Sequence, residues 1–369
     1  MADNVPDDDD GELIGALTQR HDPDIANALG TTLMHRRAVI DEAIQYLSVT
    51  ELEPIALLSK FHSKIVKAHF SARLSRLLKR RLVRGNFVQF MKRHGVVISG
   101  SSVFEFMDPA WTDSWKKLRV ESKDLDLYVK KGSLFPVVRY LCTQTGVAST
   151  IVFSSHERVS AERWNVLDLN GDYDVNGIKS VVKVKLVRGS KTTFVDVIES
   201  SSNSPLFPIF NFDLSICRNA LTVDGLAIYH ADWTFKNISY VCPMTTRPSA
   251  DTLEILRLKT ELRVEKYAKR GVAIYQDIRA SPKLKEHVCT VDALCPQTLR
   301  NTGDDGVYFL PFSPMSDEEK KRCKSAKCDP IMWRCGGSSC DGVTECMEAC
   351  AYRAPNLHDK FDGRERLRI

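Results

Sequence analysis

From residue 33 to about residue 93 apolar positions recur every three or four residues: Val39, Ile40, Ala43, Ile44 and Leu47, then Leu52, Ile55, Leu57, Leu58, Phe61 and Ile65. This is the period of helices that each bury one stripe. Ser48 and Thr50, followed by Glu51 and Glu53, mark a helix start, because a hydroxyl caps free N–H groups and a carboxylate three residues on answers it. After Gly95 the period shortens to two. "VVISG" (96–100), "DLDLYV" (124–129), "TIVFSS" (150–155), "SVVKVKLV" (180–187) and "TTFVDVIES" (192–200) read as strands, the last two joined through residues 188–191 as a hairpin. Helices are predicted over "SSVFEFM", over 133–146 despite Pro136, and over 249–271, where Lys269, Arg270 and Gly271 close the run. The expected class is α/β (α+β), a mixed sheet with flanking helices rather than a doubly wound parallel one.

The chain divides by composition into an acidic leader (1–32) expected to be disordered, a helical head (33–94), the α/β domain (95–280) and an irregular Cys-rich tail (281–369). At 369 residues, 43% hydrophobic and 27% charged, it can bury a sizeable core. A net charge of +5 does not by itself call for nucleic acid or an anionic membrane. Residues 67–93 are locally basic, with Arg73, Arg76, Lys79, Arg80, Arg81 and Arg84 among them. Phe70, Leu74, Leu77, Leu78 and Leu82 form an apolar stripe on the same segment, so the charges read as its solvated face before a phosphate-binding one. "MADNVPDDDDGEL" lacks the form of a secretion signal, and no apolar run reaches about 18 residues. The expectation is an intracellular protein, in cytoplasm or nucleus, with no membrane partner and with most of its eleven cysteines reduced.

Candidate chemistry sits on two strands. Strand side chains alternate, so Asp124 and Asp126 share a face while Leu125 and Leu127 point to the core. Asp196 stands between Val195 and Val197 in a second strand. Converging carboxylates suit Mg2+ or Mn2+, which take oxygen ligands and hold phosphates; exposed edge-strand charges are the alternative. Gly100 would let the backbone approach a polyphosphate, and Ser101 would add a hydroxyl. Asp213 reads as the N-cap of a helix over "LSICRNAL" or as a substrate-orienting group. Arg263, Lys266, Lys269 and Arg270 read as a solvated helix face or as a phosphate contact, and His94 precedes the first strand. Cys323, Cys328, Cys335, Cys340, Cys346 and Cys350 would suit structural Zn2+, although paired C-x-x-C knuckles are missing and disulfides or free thiols remain alternatives.

The order strand, Gly-Ser, helix, strand with Asp-x-Asp, later strand with one Asp resembles the nucleotidyltransferase fold of the DNA polymerase beta-like superfamily. The resemblance implies NTP binding at Gly100 and Ser101, and metal-binding and catalytic roles for Asp124, Asp126 and Asp196. "FNFDLSICRNALTVDG" (210–225) and "LRVEKYAKRGVAIYQD" (262–277) are similar to segments that follow the third acid in fungal and large-virus members. The gap from Ser101 to Asp124 is longer than usual there and holds "MDPAWTDSWKKLRVES", whose Trp111 and Trp115 would form a pocket wall or dock on the core. The head, through "AIQYLSVTELEPIALLSKFHSKIVKAHF", resembles an F-box without its opening Leu-Pro step, which implies a ubiquitin-ligase adaptor as partner. The resemblance therefore implies a magnesium-dependent transfer of a nucleoside monophosphate from an NTP to a hydroxyl on RNA, protein or a small molecule. The other class is a non-enzymatic F-box-like adaptor whose α/β domain binds a nucleotide or a protein.

Overall fold

A computed structural model of the chain describes residues 40–110, 124–155, 177–242, 250–276, 288, 291–292, 295, 297–335 and 350–353. The predicted leader, Trp111 and Trp115, and Cys340 and Cys346 lie outside the described residues. The chain divides into two compact units, Met1–His69 and Phe70–Ile369.

In the first unit, helix α1 (Val49–Leu57) begins with a capping box: Ser48 Oγ accepts from the Glu51 N–H at 3.3 Å and the Ser48 N–H donates to Glu51 Oε2 at 2.7 Å. Val49, Leu52, Ile65 and Val66 are buried, whereas Tyr46, Leu57 and Leu58 are exposed. Helix α2 (Lys60–Arg80) carries the chain across the division between the units.

The second unit takes in the rest of α2, because that part of the helix is built into it. Phe70 stacks on Phe312 and tilts against Phe106, and Leu74, Leu77, Leu78 and Leu82 are buried. Two of the arginines expected on a solvated face are turned inward instead. Arg73 Nη1 donates to the Phe106 carbonyl at 3.0 Å, and Arg81 donates to the buried Glu105 carboxylate, which Arg80 also pairs at 3.0 Å. A buried guanidinium needs such partners to offset its desolvation.

Helix α3 (Phe87–His94) ends on Gly95 in the left-handed conformation. Then come β1 (Val97–Ser99), α4 (Ser101–Met107), β2 (Asp124–Val129), α5 (Leu134–Cys142), β3 (Ala148–Ser154), β4 (Ile178–Arg188) and β5 (Lys191–Ser200). Two 3-10 turns precede β6 (Asn219–Leu221), β7 (Gly225–Ile228), α6 (Ala231–Thr234), β8 (Ile238–Tyr240) and α7 (Ala250–Lys269). The described chain closes with β9 (Ala273–Tyr275), β10 (Arg300–Asn301), β11 (Tyr308–Pro311), α8 (Asp317–Lys324), β12 (Ile331–Arg334) and β13 (Cys350–Arg353).

The architecture is mixed α/β. One eight-stranded sheet runs β11-β7-β6-β1-β2-β5-β4-β3, antiparallel throughout except for the parallel pair β2–β5. β4 and β5 form the predicted hairpin, with Arg188 opposite Lys191 and Gly189 at φ +57° in the two-residue turn. Leu125, Leu127, Val195, Val197, Val182 and Val184 are fully buried on this sheet, and each such side chain contributes roughly 1.5–3 kcal/mol of burial. A second apolar cluster gathers Phe210, Tyr229 and Trp333, with the rings of Phe210 and Trp333 stacked at 4.5 Å. Among the described residues no helix is long and apolar enough to cross a membrane. The seven cysteines described as free thiols are Cys142, Cys217, Cys242, Cys295, Cys323, Cys328 and Cys335.

Candidate active site

Three strands and one turn bring the predicted residues together. β1 ends at Ser99, opposite Asp126 of β2, and the chain then turns at Gly100 into α4. Gly100 sits at φ 69°, ψ −149°, a region essentially reserved for glycine. A Cβ there would lie 2.5 Å from Asp126 Oδ2, so the turn is pressed directly onto that carboxylate. Ser102 Oγ donates to the Asp124 carbonyl at 3.1 Å, tying the first turn of α4 to the start of β2. Ser101 is buried beside it.

The parallel pairing of β2 with β5 sets Asp126 level with Asp196 and Asp124 level with Phe194. Alternation sends Leu125, Leu127, Val195 and Val197 inward, leaving Asp124, Asp126 and Asp196 half-buried. From β4, Lys183 stands opposite Asp196 and places Nζ 3.3 Å from Oδ2. The other oxygen, Asp196 Oδ1, is buried with no hydrogen-bond partner. Burial first, then the charges of Asp196 and Asp124, pushes the Asp126 carboxyl up to about 7; Lys266 and Lys183 act the other way. Burial likewise pushes Asp196 up to about 6 against the pull of Lys183, with Asp124 adding to the rise.

Helix α7 lies along this cluster. Asp213 accepts from Thr260 Oγ1 at 2.8 Å and from Arg263 Nη1 at 2.6 Å, which fastens the helix to the segment before β6. Asp213 is therefore not an N-cap: "LSICRNAL" is a 3-10 turn at Ser215–Cys217 followed by β6. Tyr267 meets Phe104 of α4 edge-on, and the Arg270 guanidinium lies 5.2 Å from the Tyr267 ring centre. Of the four cations read as one face, Lys269 pairs outward with Glu265 and Arg263 holds Asp213. Lys266 and Arg270 lie within electrostatic reach of the acids. Lys266 is depressed by surrounding protein and by Arg270, while Asp126 and Asp124 pull it upward; burial depresses buried Arg270, with Asp124 among the groups opposing. His94 packs on the Phe90 ring at 4.2 Å.

Lys183 was missed in the sequence, although its signal was present. A two-residue loop pairs Arg188 with Lys191, and five residues back and five on are Lys183 and Asp196.

As they stand, the described residues include no group of three or more His, Cys, Asp or Glu side chains able to hold a metal ion. The donors nevertheless fit a hard cation in kind and placement, with three carboxylates at neighbouring positions of β2 and β5, one of whose oxygens is buried and unsatisfied. Comparison with family models, curated proteins and solved structures finds no match to this chain.

Proposed function

We propose that the chain is a nucleotidyltransferase of the polymerase beta-like kind, moving a nucleoside monophosphate from an NTP to a hydroxyl acceptor. The observation that carries this reading is the level pairing of Asp126 with Asp196 beneath a glycine turn closed on Asp126 Oδ2. Asp124, Asp126 and Asp196 would hold Mg2+ or Mn2+. When bound, the metal supplies charge stabilisation for the attacking and leaving oxygens of the displacement.

The rest falls to the chain's own residues. Gly100 and Ser101 form the turn against which the NTP phosphates rest. Lys266 of α7 and Arg270, just past its end, offset the triphosphate's negative charge. Asp196 orients the acceptor hydroxyl and takes its proton as the oxygen attacks the α-phosphorus. The bond from that phosphorus to the bridging oxygen breaks, and pyrophosphate leaves.

The test is incubation of purified protein with each labelled NTP, Mg2+ or Mn2+, and a pool of cell RNA and protein. Label on one polymer class names the acceptor. Absence of both transfer and metal-dependent NTP binding overturns the reading.

One observation favours a second role for the head as an F-box-like adaptor module acting inside the cell, in cytoplasm or nucleus: Tyr46, Leu57 and Leu58 are exposed at 69%, 82% and 70%. Charge at Leu57 and Leu58 should then abolish capture of a ubiquitin-ligase adaptor while leaving NTP binding intact. The tail cysteines would hold structural Zn2+, which metal analysis of protein purified under reducing conditions tests: less than about half an equivalent of zinc rules the site out.

A further inference from the structure

Resting on that reading of the acids, we propose that Lys183 is a positioning residue of the same site: its ammonium holds Asp196 as a built-in stand-in for a divalent ion, and an arriving ion must displace it. The geometry is specific. Lys183 reaches Asp196 from the neighbouring strand β4, and its Nζ lies 3.3 Å from Oδ2. The same ammonium sits 5.9 Å from the Phe194 ring centre, on the residue level with Asp124. The Lys183 side chain is 35% exposed, so it has solvent to retreat into, whereas the carboxylate it holds is 20% exposed and fixed within β5.

A single ammonium answers only part of the need. It engages one oxygen and leaves Asp196 Oδ1 buried without a partner. Asp126 and Asp124 add negative charge beside it, and Lys266 of α7 and Arg270 just past its end lie within electrostatic reach of the cluster. A magnesium ion needs inner-shell oxygens at about 2.0–2.1 Å and carries twice the charge. At either oxygen of Asp196 it would sit within a few ångströms of that ammonium, and two cations repel at that range. With Lys183 on Oδ2, Asp196 presents only Oδ1 to an arriving ion. On metal arrival the Lys183 side chain withdraws toward solvent, and the Asp196 carboxylate is left to the metal.

The test is a magnesium titration of the full chain by thermal shift, repeated with Mn2+ and followed by paramagnetic resonance. Lys183→Met removes the competing charge, so the midpoint should fall by roughly tenfold. The metal-free form should melt lower and the metal-induced gain should be larger. Lys183→Arg keeps the cation and should stay within about threefold of wild type. Lys183→Gln serves as a second neutral variant should the Met protein fail to fold, and it should behave as Met does. A midpoint unchanged or raised in the neutral variants, with wild type responding to metal, overturns the role of Lys183 and leaves the metal site standing. A wild type that responds to neither Mg2+ nor Mn2+ overturns the metal site, and the inference with it.

Discussion

At Gly100 the backbone takes φ 69°, ψ −149°, and the space where a side chain would begin is filled by the Asp126 carboxylate. A methyl group there meets two costs at once, a backbone conformation that other residues pay roughly 1–3 kcal/mol to hold and a clash at 2.5 Å with Oδ2. Gly95 gives the control. It is also left-handed, at φ +63°, but nothing lies within 4 Å of its would-be Cβ. Gly95→Ala should therefore lose about 1 kcal/mol in urea denaturation, and Gly100→Ala roughly 2–3 kcal/mol. Only the second should also weaken metal-dependent NTP binding, since the carboxylate it pushes is one of the proposed ligands. Equal losses in the two variants would mean that the turn does not press on the acid. The sequence marked Gly100 as a place of close approach, but it could not say that the approaching group is Asp126.

Helix α7 is tied down in part by one buried carboxylate, Asp213. Removing it by Asp213→Ala leaves Thr260 and Arg263 unanswered, at a cost on the order of 2 kcal/mol, and frees the helix that bears Lys266 and leads into Arg270. Amide exchange should accelerate along 257–269 before it does in β2 or β5, and NTP should protect the variant less than wild type. Uniform acceleration would show that Asp213 only supports the core. The same region shows where element prediction stopped. "DLDLYV" and "TTFVDVIES" were legible because one face of each strand is buried and the other carries charge, so the period of two survives in the sequence. β6 is three residues, all buried, and β7 is four, all buried, so neither has a polar face to betray it. With no alternation to read, Asp213 before "LSICRNAL" looked like a cap. β11 joins the main sheet from more than a hundred residues beyond β5, and pairing over that distance leaves no local mark. The Ser316–Glu319 capping box of α8 was readable and went unread.

For the molecule as a whole, the acids set a pH dependence of the metal-free fold that runs against the usual one. In the unfolded chain an aspartate titrates near 3.9, whereas in the fold Asp126 stands at about 7 and Asp196 at about 6. Between these limits the folded protein holds protons that the unfolded chain has released, so stability from this source falls as pH rises from about 4 to about 7 and does not return above it. Other carboxylates work the opposite way. Glu51 is lowered by its hydrogen bonds with Ser48, and at Glu199 burial is outweighed by donors from Ser180, Gly132 and Lys179. Their contribution is present above the unfolded value of about 4.3 and is lost as pH falls below it. The metal-free protein should thus be most stable near pH 5, as measured by urea denaturation between pH 4 and 8. Asp126→Asn removes the costly charge and keeps the shape, so it should gain on the order of 2 kcal/mol at pH 7.5 and close to nothing at pH 4.5. Magnesium should act on wild type in the same direction, raising stability at pH 7.5 and not at 4.5, where protons already occupy the site, and it should do little for Asp126→Asn. A metal-free stability that climbs through pH 7, or an Asp126→Asn gain that is the same at both pH values, would show that the three acids do not share one field.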